Sequence, residues 1–191
     1  MTNVDPIPSS SALRAAHLIE RLGRVLRAAD HATALNPAQC EALRYLARAN
    51  RFSRTPAALA EYLGTTRGTV SQTLLALEAK GLLEKHANTR DGRSVVLALT
   101  AAGAAFLSAD PVHVLARALD SSGTGSEVVA VLEAGLRSAI ADRRGRAFGA
   151  CHTCMHFQAN QHLGGPPHHC ALLNEPLTID DAQLICAEQV A

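Results

Sequence analysis

Cys151, Cys154, Cys170 and Cys186 are spaced C-x2-C-x15-C-x15-C in the last third of the 191-residue chain. Thiols two residues apart grip one metal across a tight turn, and two distant thiols complete a tetrahedral or cuboidal site. A zinc ribbon carries two such close pairs and this segment carries one. The spacing therefore points to an iron–sulfur cluster, and four thiolates suit the 4Fe–4S kind. Zinc is the alternative, because His152, His156, His162, His168 and His169 share the segment. A site of three cysteines and one histidine stays open, with His169, beside Cys170, as the histidine to watch. The close pair does not read as a thioredoxin-type motif, since no βαβ pattern surrounds it. Cys40 lies on the apolar face of a predicted helix and reads as a small core residue.

A second set of residues suits another chemistry. Thr66, Arg67, Thr69, Ser71, Gln72 and Thr73 crowd the first turns of a predicted helix. Short hydroxyls and amides hydrogen-bond base edges, and arginine forks to guanine or phosphate. Arg90 and Arg93 sit at the tip of a predicted hairpin. From there arginines reach a minor groove or its phosphates.

These residues must be positioned by helices that the sequence marks plainly. Ser9 to Ser11 cap a helix running to about Ala29, with Leu13, Leu18, Ile19, Leu22, Val25 and Leu26 at helical spacing. Asn36-Pro37 and Thr55-Pro56 each pair a cap with proline at the first turn, starting helices 37–49 and 56–63. Gly64 stops the second of these, and Thr65-Thr66 cap a longer helix, 67–80, in which Leu74, Leu75 and Leu77 are expected to face the core. Extended runs 82–86 and 94–99 then flank an Asp91-Gly92 turn, a hairpin signal. Helices over 101–109, 112–119 and 126–144 follow, before the cysteine segment.

The bulk composition agrees with a mainly α chain. Apolar residues reach 48%, yet there is no Trp, two Tyr and four Phe, so the apolar fraction is mostly Ala and Leu. Those are helix formers rather than strand formers. The formal net charge of +1 does not by itself indicate nucleic acid; its distribution matters more than the total, and an arginine- and alanine-rich chain also fits a GC-rich genome. No stretch reaches the roughly 18 uncharged apolar residues of a membrane span. The opening MTNVDPIPSS lacks a basic region followed by an apolar run. The expectation is a cytoplasmic protein with no membrane partner, where thiols stay reduced and serve as ligands rather than disulfides.

Helix, Gly turn, helix, then hairpin is the order of a winged helix-turn-helix. The stretch LAEYLGTTRGTVSQTLLALEAKGLLEKHANTRDGRSVVLALTAAGAAFL, Leu59 to Leu107, resembles the MarR family of winged-helix repressors. Leu77-Glu78-Ala79-Lys80-Gly81-Leu82-Leu83 matches the family's phrase after the recognition helix, and Asp91 and Arg93 match its Asp-Xaa-Arg wing tip. The resemblance spans about residues 9–144. It implies double-stranded DNA with a near-palindromic operator as partner, and a homodimer whose first and last long helices interlock. The broad apolar faces of helices 12–29 and 126–144 agree with that.

The cysteine segment has its own likeness. Cys151-His152-Thr153-Cys154-Met155-His156-Phe157, then Cys170-Ala171-Leu172, then Cys186, is similar to the cysteine layout of small high-potential iron–sulfur proteins. The aromatic residue that precedes the last cysteine in those proteins is Ile185 here. The expected organisation is a DNA-binding and dimerisation domain over 1–149 and a metal- or cluster-binding segment over 150–191. The expected function is a transcriptional regulator, in the sense of a repressor, whose operator binding responds to the metal centre. A regulator with a purely structural zinc that senses a small ligand is one alternative, and a redox or electron-transfer protein is another. No paired carboxylates, nucleophile motif or phosphate loop suggests an enzyme.

Overall fold

The computed structural model describes residues 9–31, 33–88, 94–141 and 145–190. The chain is mainly helical. Helix α1 spans Ser10–Asp30, α2 Pro37–Arg48, α3 Pro56–Tyr62 and α4 Arg67–Ala79. Strands β1 (Leu83–Ala87) and β2 (Val95–Leu99) form an antiparallel wing, with Leu83 opposite Leu99 and Ala87 opposite Val95. Helices α5 (Ala101–Ser108), α6 (Val112–Asp120) and α7 (Gly125–Ala141) follow.

The boundaries follow from capping. Asn36 and Gln39 form a reciprocal capping box at α2, and the Thr55, Thr66 and Thr100 hydroxyls accept from the backbones of Ala58, Thr69 and Gly103. Gly81 ends the α4 region with φ +68°, a left-handed conformation natural to glycine. Gly103 has a different constraint. A β-carbon there would lie 2.1 Å from the Leu82 carbonyl oxygen, so the close seat of α5 on the start of the wing requires glycine.

The core joins α2, α3, α4 and the wing through Leu43, Tyr45, Leu46, Leu59, Val70, Leu74, Leu77, Leu83 and Leu97. Leu74 and Leu77 face it as expected, but Leu75 is 50% exposed. At 3.6 residues per turn, a helix cannot bury three such closely spaced positions on one narrow face. Helices α1 and α7 lie outside this core. Leu13, Leu18, Ile19, Leu22 and Val25 of α1 are exposed, as are Val129, Val131, Leu132 and Leu136 of α7.

One ion cluster ties the end of α1 and the start of α6 to the core. Arg44, in α2, donates Nη1 and Nη2 to Asp30 at 2.9 and 2.6 Å and Nε to Asp110 at 2.6 Å. Asp30 ends α1 and Asp110 precedes α6; their side chains are 1% and 5% exposed. The paired carboxylates push the guanidinium pKa upward, the bond to Asp30 most strongly.

The remaining chain makes short elements: β3 (Gly149–Ala150), a 3-10 turn (Cys151–Thr153), β4 (Phe157–Gln158), β5 (His168–Cys170), β6 (Glu175–Leu177), α8 (Ile179–Gln183) and β7 (Ile185–Cys186). β3 pairs with β7, and β4, β5 and β6 make a three-stranded antiparallel sheet. Among the described residues no helix is long and apolar enough to cross a membrane.

Replacing Arg44 by Met would leave two buried carboxylates without a counter-charge. Urea unfolding is expected to show a loss of about 3–5 kcal/mol. Arg24→Ala, which breaks the exposed ion pair with Glu20, should change stability by less than about 0.5 kcal/mol.

Candidate DNA-reading surface and cysteine site

Helix α4 has two distinct sides. Val70, Leu74 and Leu77 are buried, while Thr66, Arg67, Thr69, Ser71 and Gln72 are exposed and Thr73 is half-buried. All six predicted contact residues therefore lie on or beside the solvent face. The Thr66 hydroxyl accepts from the Thr69 backbone at 3.2 Å, and Thr73 donates to the Thr69 carbonyl at 3.1 Å. Those two hydroxyls are engaged by the helix itself. Arg67, Ser71 and Gln72 project beyond them from the end that carries the positive pole of the helix. Arg90 and Arg93 lie outside the described residues.

The other candidate site is assembled by strand pairing. Cys151 and Cys154 bracket the 3-10 turn, whose Cys154 N–H donates to the Cys151 carbonyl at 3.0 Å. Pairing of β3 with β7 sets Gly149 opposite Cys186, two residues from Cys151. Pairing of β4 with β5 sets Phe157 opposite Cys170. All four cysteines consequently line one cavity, together with His156, Phe157, Leu172, Leu173, Leu177 and Glu188. All four are free thiols. Among the described residues, no three His, Cys, Asp or Glu side chains stand close enough together to hold a single metal ion.

Donors surround the sulfurs. Asn50 Nδ2 donates to Cys151 Sγ at 3.1 Å, and the Val190 N–H donates to Cys154 Sγ at 3.5 Å. Cys151 and Cys186 share a hydrogen bond. Accepting it pulls the Cys186 thiol down to about 6, against the effect of burial, with Asn50, the Glu188 backbone and Ser53 adding to the fall. Cys151, donating that hydrogen and buried, is pushed upward. Cys40 is not part of this cavity. It is buried in α2 beside Thr33, and burial raises its thiol pKa.

The histidine on the cavity wall is His156, which the spacing did not single out. His169 turns away, its Nδ1 lying 3.4 Å from His162 Nε2. Alternation along β5 explains this: Cys170 faces the cavity, so its neighbour faces outward. Asn50 and Ser53 were also missed as site residues, because nothing near either of them in sequence resembles a ligand motif.

The cysteine segment is seated on the winged-helix core. The Asn50 N–H donates to the Ile185 carbonyl at 2.9 Å, and Ser53 Oγ accepts from the Ala187 N–H at 2.8 Å. Ile185, where the iron–sulfur likeness would have an aromatic residue, bridges to Ala49 and packs on this core. Phe148 packs edge-on against Tyr45 and Tyr62, with ring centroids 6.2 and 5.3 Å apart. Arg51 reaches Asp181 at 3.3 Å and also donates to the Pro176 carbonyl. Arg146 bridges Glu61 and Glu188 at 3.1 and 2.7 Å.

Residues 35–94 match the model of the MarR family. No curated protein matches the chain. Among solved structures, a variant of MepR from S. aureus is 22% identical, with a TM-score of 0.52, covering 69% of this chain and 99% of its own. The S. aureus MepR–DNA complex is 20% identical, with a TM-score of 0.50 and coverage of 69% and 99%. A transcription regulator of the MarR family is 24% identical, with a TM-score of 0.51, covering 70% of this chain and 91% of its own. These likenesses concern the fold. The stretch that matches the family model runs from just before α2 to the start of the second wing strand.

Proposed function

We propose that the protein is a homodimeric transcriptional regulator that binds a near-palindromic operator through α4 and the wing, and whose four C-terminal cysteines hold an iron–sulfur cluster that modulates this binding. The observation that carries the DNA reading is the two-sided α4. Its apolar side is locked in the core, so hydrogen-bonding side chains are held outward on a rigid support. MepR, which shares the fold, has been solved bound to DNA. The uncovered apolar faces of α1 and α7 favour a second copy of the chain as their cover.

The cluster reading rests on the shared cavity. Four thiols converge on it, its other walls are largely apolar, and amide donors point at the sulfurs. That donor set fits an iron–sulfur group, which thiolates ligate and N–H···S bonds tune. A single zinc with Zn–S bonds of about 2.3 Å requires its ligands packed closely about one point. One close cysteine pair, where a zinc ribbon has two, favours the larger group. Bound there, such a group would supply four metal–thiolate bonds that cross-link the segment.

DNA selected from a random duplex pool should yield an inverted repeat. Arg67→Ala or Gln72→Ala should then cost about 1–3 kcal/mol on the selected sequence and relax preference at particular bases. Arg93→Ala should reduce the salt slope of binding by about one unit. Unchanged affinity with Arg67, Gln72 and Arg93 all replaced would overturn the DNA reading.

Cys→Ser at position 151, 154, 170 or 186 should release the metal centre, and Cys40→Ser should not. Absorbance near roughly 400 nm, typical of thiolate-bound iron clusters, and metal analysis of protein purified without oxygen would report it. A colourless protein with stoichiometric zinc would replace the cluster by a structural ion. Full metal retention in Cys170→Ser or Cys186→Ser would overturn the four-cysteine assignment.

A further inference from the structure

We propose that Asn50, a residue of the winged-helix domain, is a positioning residue of the cysteine site and makes loading of that site and DNA binding one linked equilibrium. The inference rests on the reading of the four cysteines as a cluster site. Asn50 follows α2, is completely buried, and lies 101 residues before Cys151. Its Oδ1 accepts from the Phe52 and Ser53 N–H groups at 3.1 and 3.0 Å. With that oxygen tied, the amide has one orientation, and it directs Nδ2 at Cys151 Sγ. Its own N–H holds the Ile185 carbonyl, one residue before Cys186. One side chain and its backbone therefore touch both ends of the cysteine array.

The other side of this turn holds the reading head. The Ser53 carbonyl accepts from the Tyr45 hydroxyl at 2.6 Å, and the Arg54 carbonyl accepts from the Leu97 N–H, in the wing strand β2, at 2.8 Å. Arg54 Nε in turn donates to the Ala49 carbonyl at 2.9 Å. The turn 50–54 is thus hydrogen-bonded to a sulfur, to α2 and to the wing. In the metal-free protein Asn50 Nδ2 lies 3.1 Å from Cys151 Sγ. Loading would turn that sulfur into a metal-bound thiolate. The bond from Asn50 Nδ2 then becomes a charge-assisted N–H···S contact, and the turn is held in the geometry that contact demands. Arg54 passes that geometry to Leu97 and the wing. Both sites bias one packed element, which is the physical requirement for coupling.

Two variants test this in the full chain. Asn50→Asp keeps the size and the acceptor oxygen for Phe52 and Ser53 but replaces the donor by a carboxylate oxygen facing the sulfur. Ser53→Ala removes the acceptor for Ala187. Each protein is prepared without oxygen, metal-free and after reconstitution with ferric iron, sulfide and a thiol reductant, which supplies both iron oxidation states. Loading is followed by absorbance, and affinity is measured on the duplex selected by the wild type. The wild-type ratio of loaded to metal-free affinity is expected to differ from one by a factor on the order of 5–150. Both variants should bring that ratio towards one while still loading, and Asn50→Asp should shift the reduction potential of the loaded centre negative. A purely structural role would weaken both forms alike, and a wild-type ratio in both loaded variants overturns the proposal. So does a wild-type protein that loads without any change in affinity. Wild type that takes up no iron and sulfide sinks the cluster reading itself, which is a separate outcome.

Discussion

Burying a polar side chain without partners costs several kilocalories per mole, and Asn50 is buried completely. The fold is arranged so that this cost is offset from three directions. Backbone amides of the following turn bind its oxygen, Cys151 takes its nitrogen, and Ile185 takes its backbone N–H. None of the three is optional once the residue is inside. The cysteine segment must therefore sit where it does, against the end of α2, or Asn50 must be reopened to water. This constraint explains why a segment of very short strands has a defined place: its position is set by the larger core beneath it.

The Arg44 cluster performs the matching task at the opposite side of α2. One guanidinium joins the last residue of α1 to the residue before α6. Helix α1, which exposes a broad apolar face, and the start of α6 are thereby referenced to the helix that organises the reading head. A buried ion pair adds little net stability compared with apolar packing, but it tolerates few alternative geometries. Its value here is angular definition. Beside it lies a cavity bordered by Thr33, Ala105, Phe106 and Pro111.

Helix α2 is consequently the common reference of the molecule. Arg44 on it faces the outer helices, Tyr45 and Leu46 face the core, and Asn50 just beyond it faces the sulfurs. Half-buried Arg44 and fully buried Asn50, six residues apart, orient the elements that pack around them. The exposed side of α4 and the cysteine cavity, though chemically unrelated, are both fixed relative to this one helix.

Much of this was legible in order along the chain. Asn36-Pro37, Thr55-Pro56, Thr66 and Thr100 mark helix starts through local hydrogen bonds that depend on only a few neighbouring residues, and the observed helices begin there. The solvent face of α4 followed from its period, except that Leu75 falls outside the buried stripe. The spacing of the cysteines was visible, but their convergence needed two strand pairings that no spacing expresses. His169 misses the cavity because strand alternation, not proximity to a cysteine, decides which way its side chain points. Asn50 and Ser53 carried no signal at all, since their roles arise from contacts with residues more than a hundred positions away. What depends on the nearest few residues, such as caps, turns and periodicity, was determined by the sequence read alone. What depends on which distant backbone comes to lie against a buried polar group was decided only by the tertiary structure.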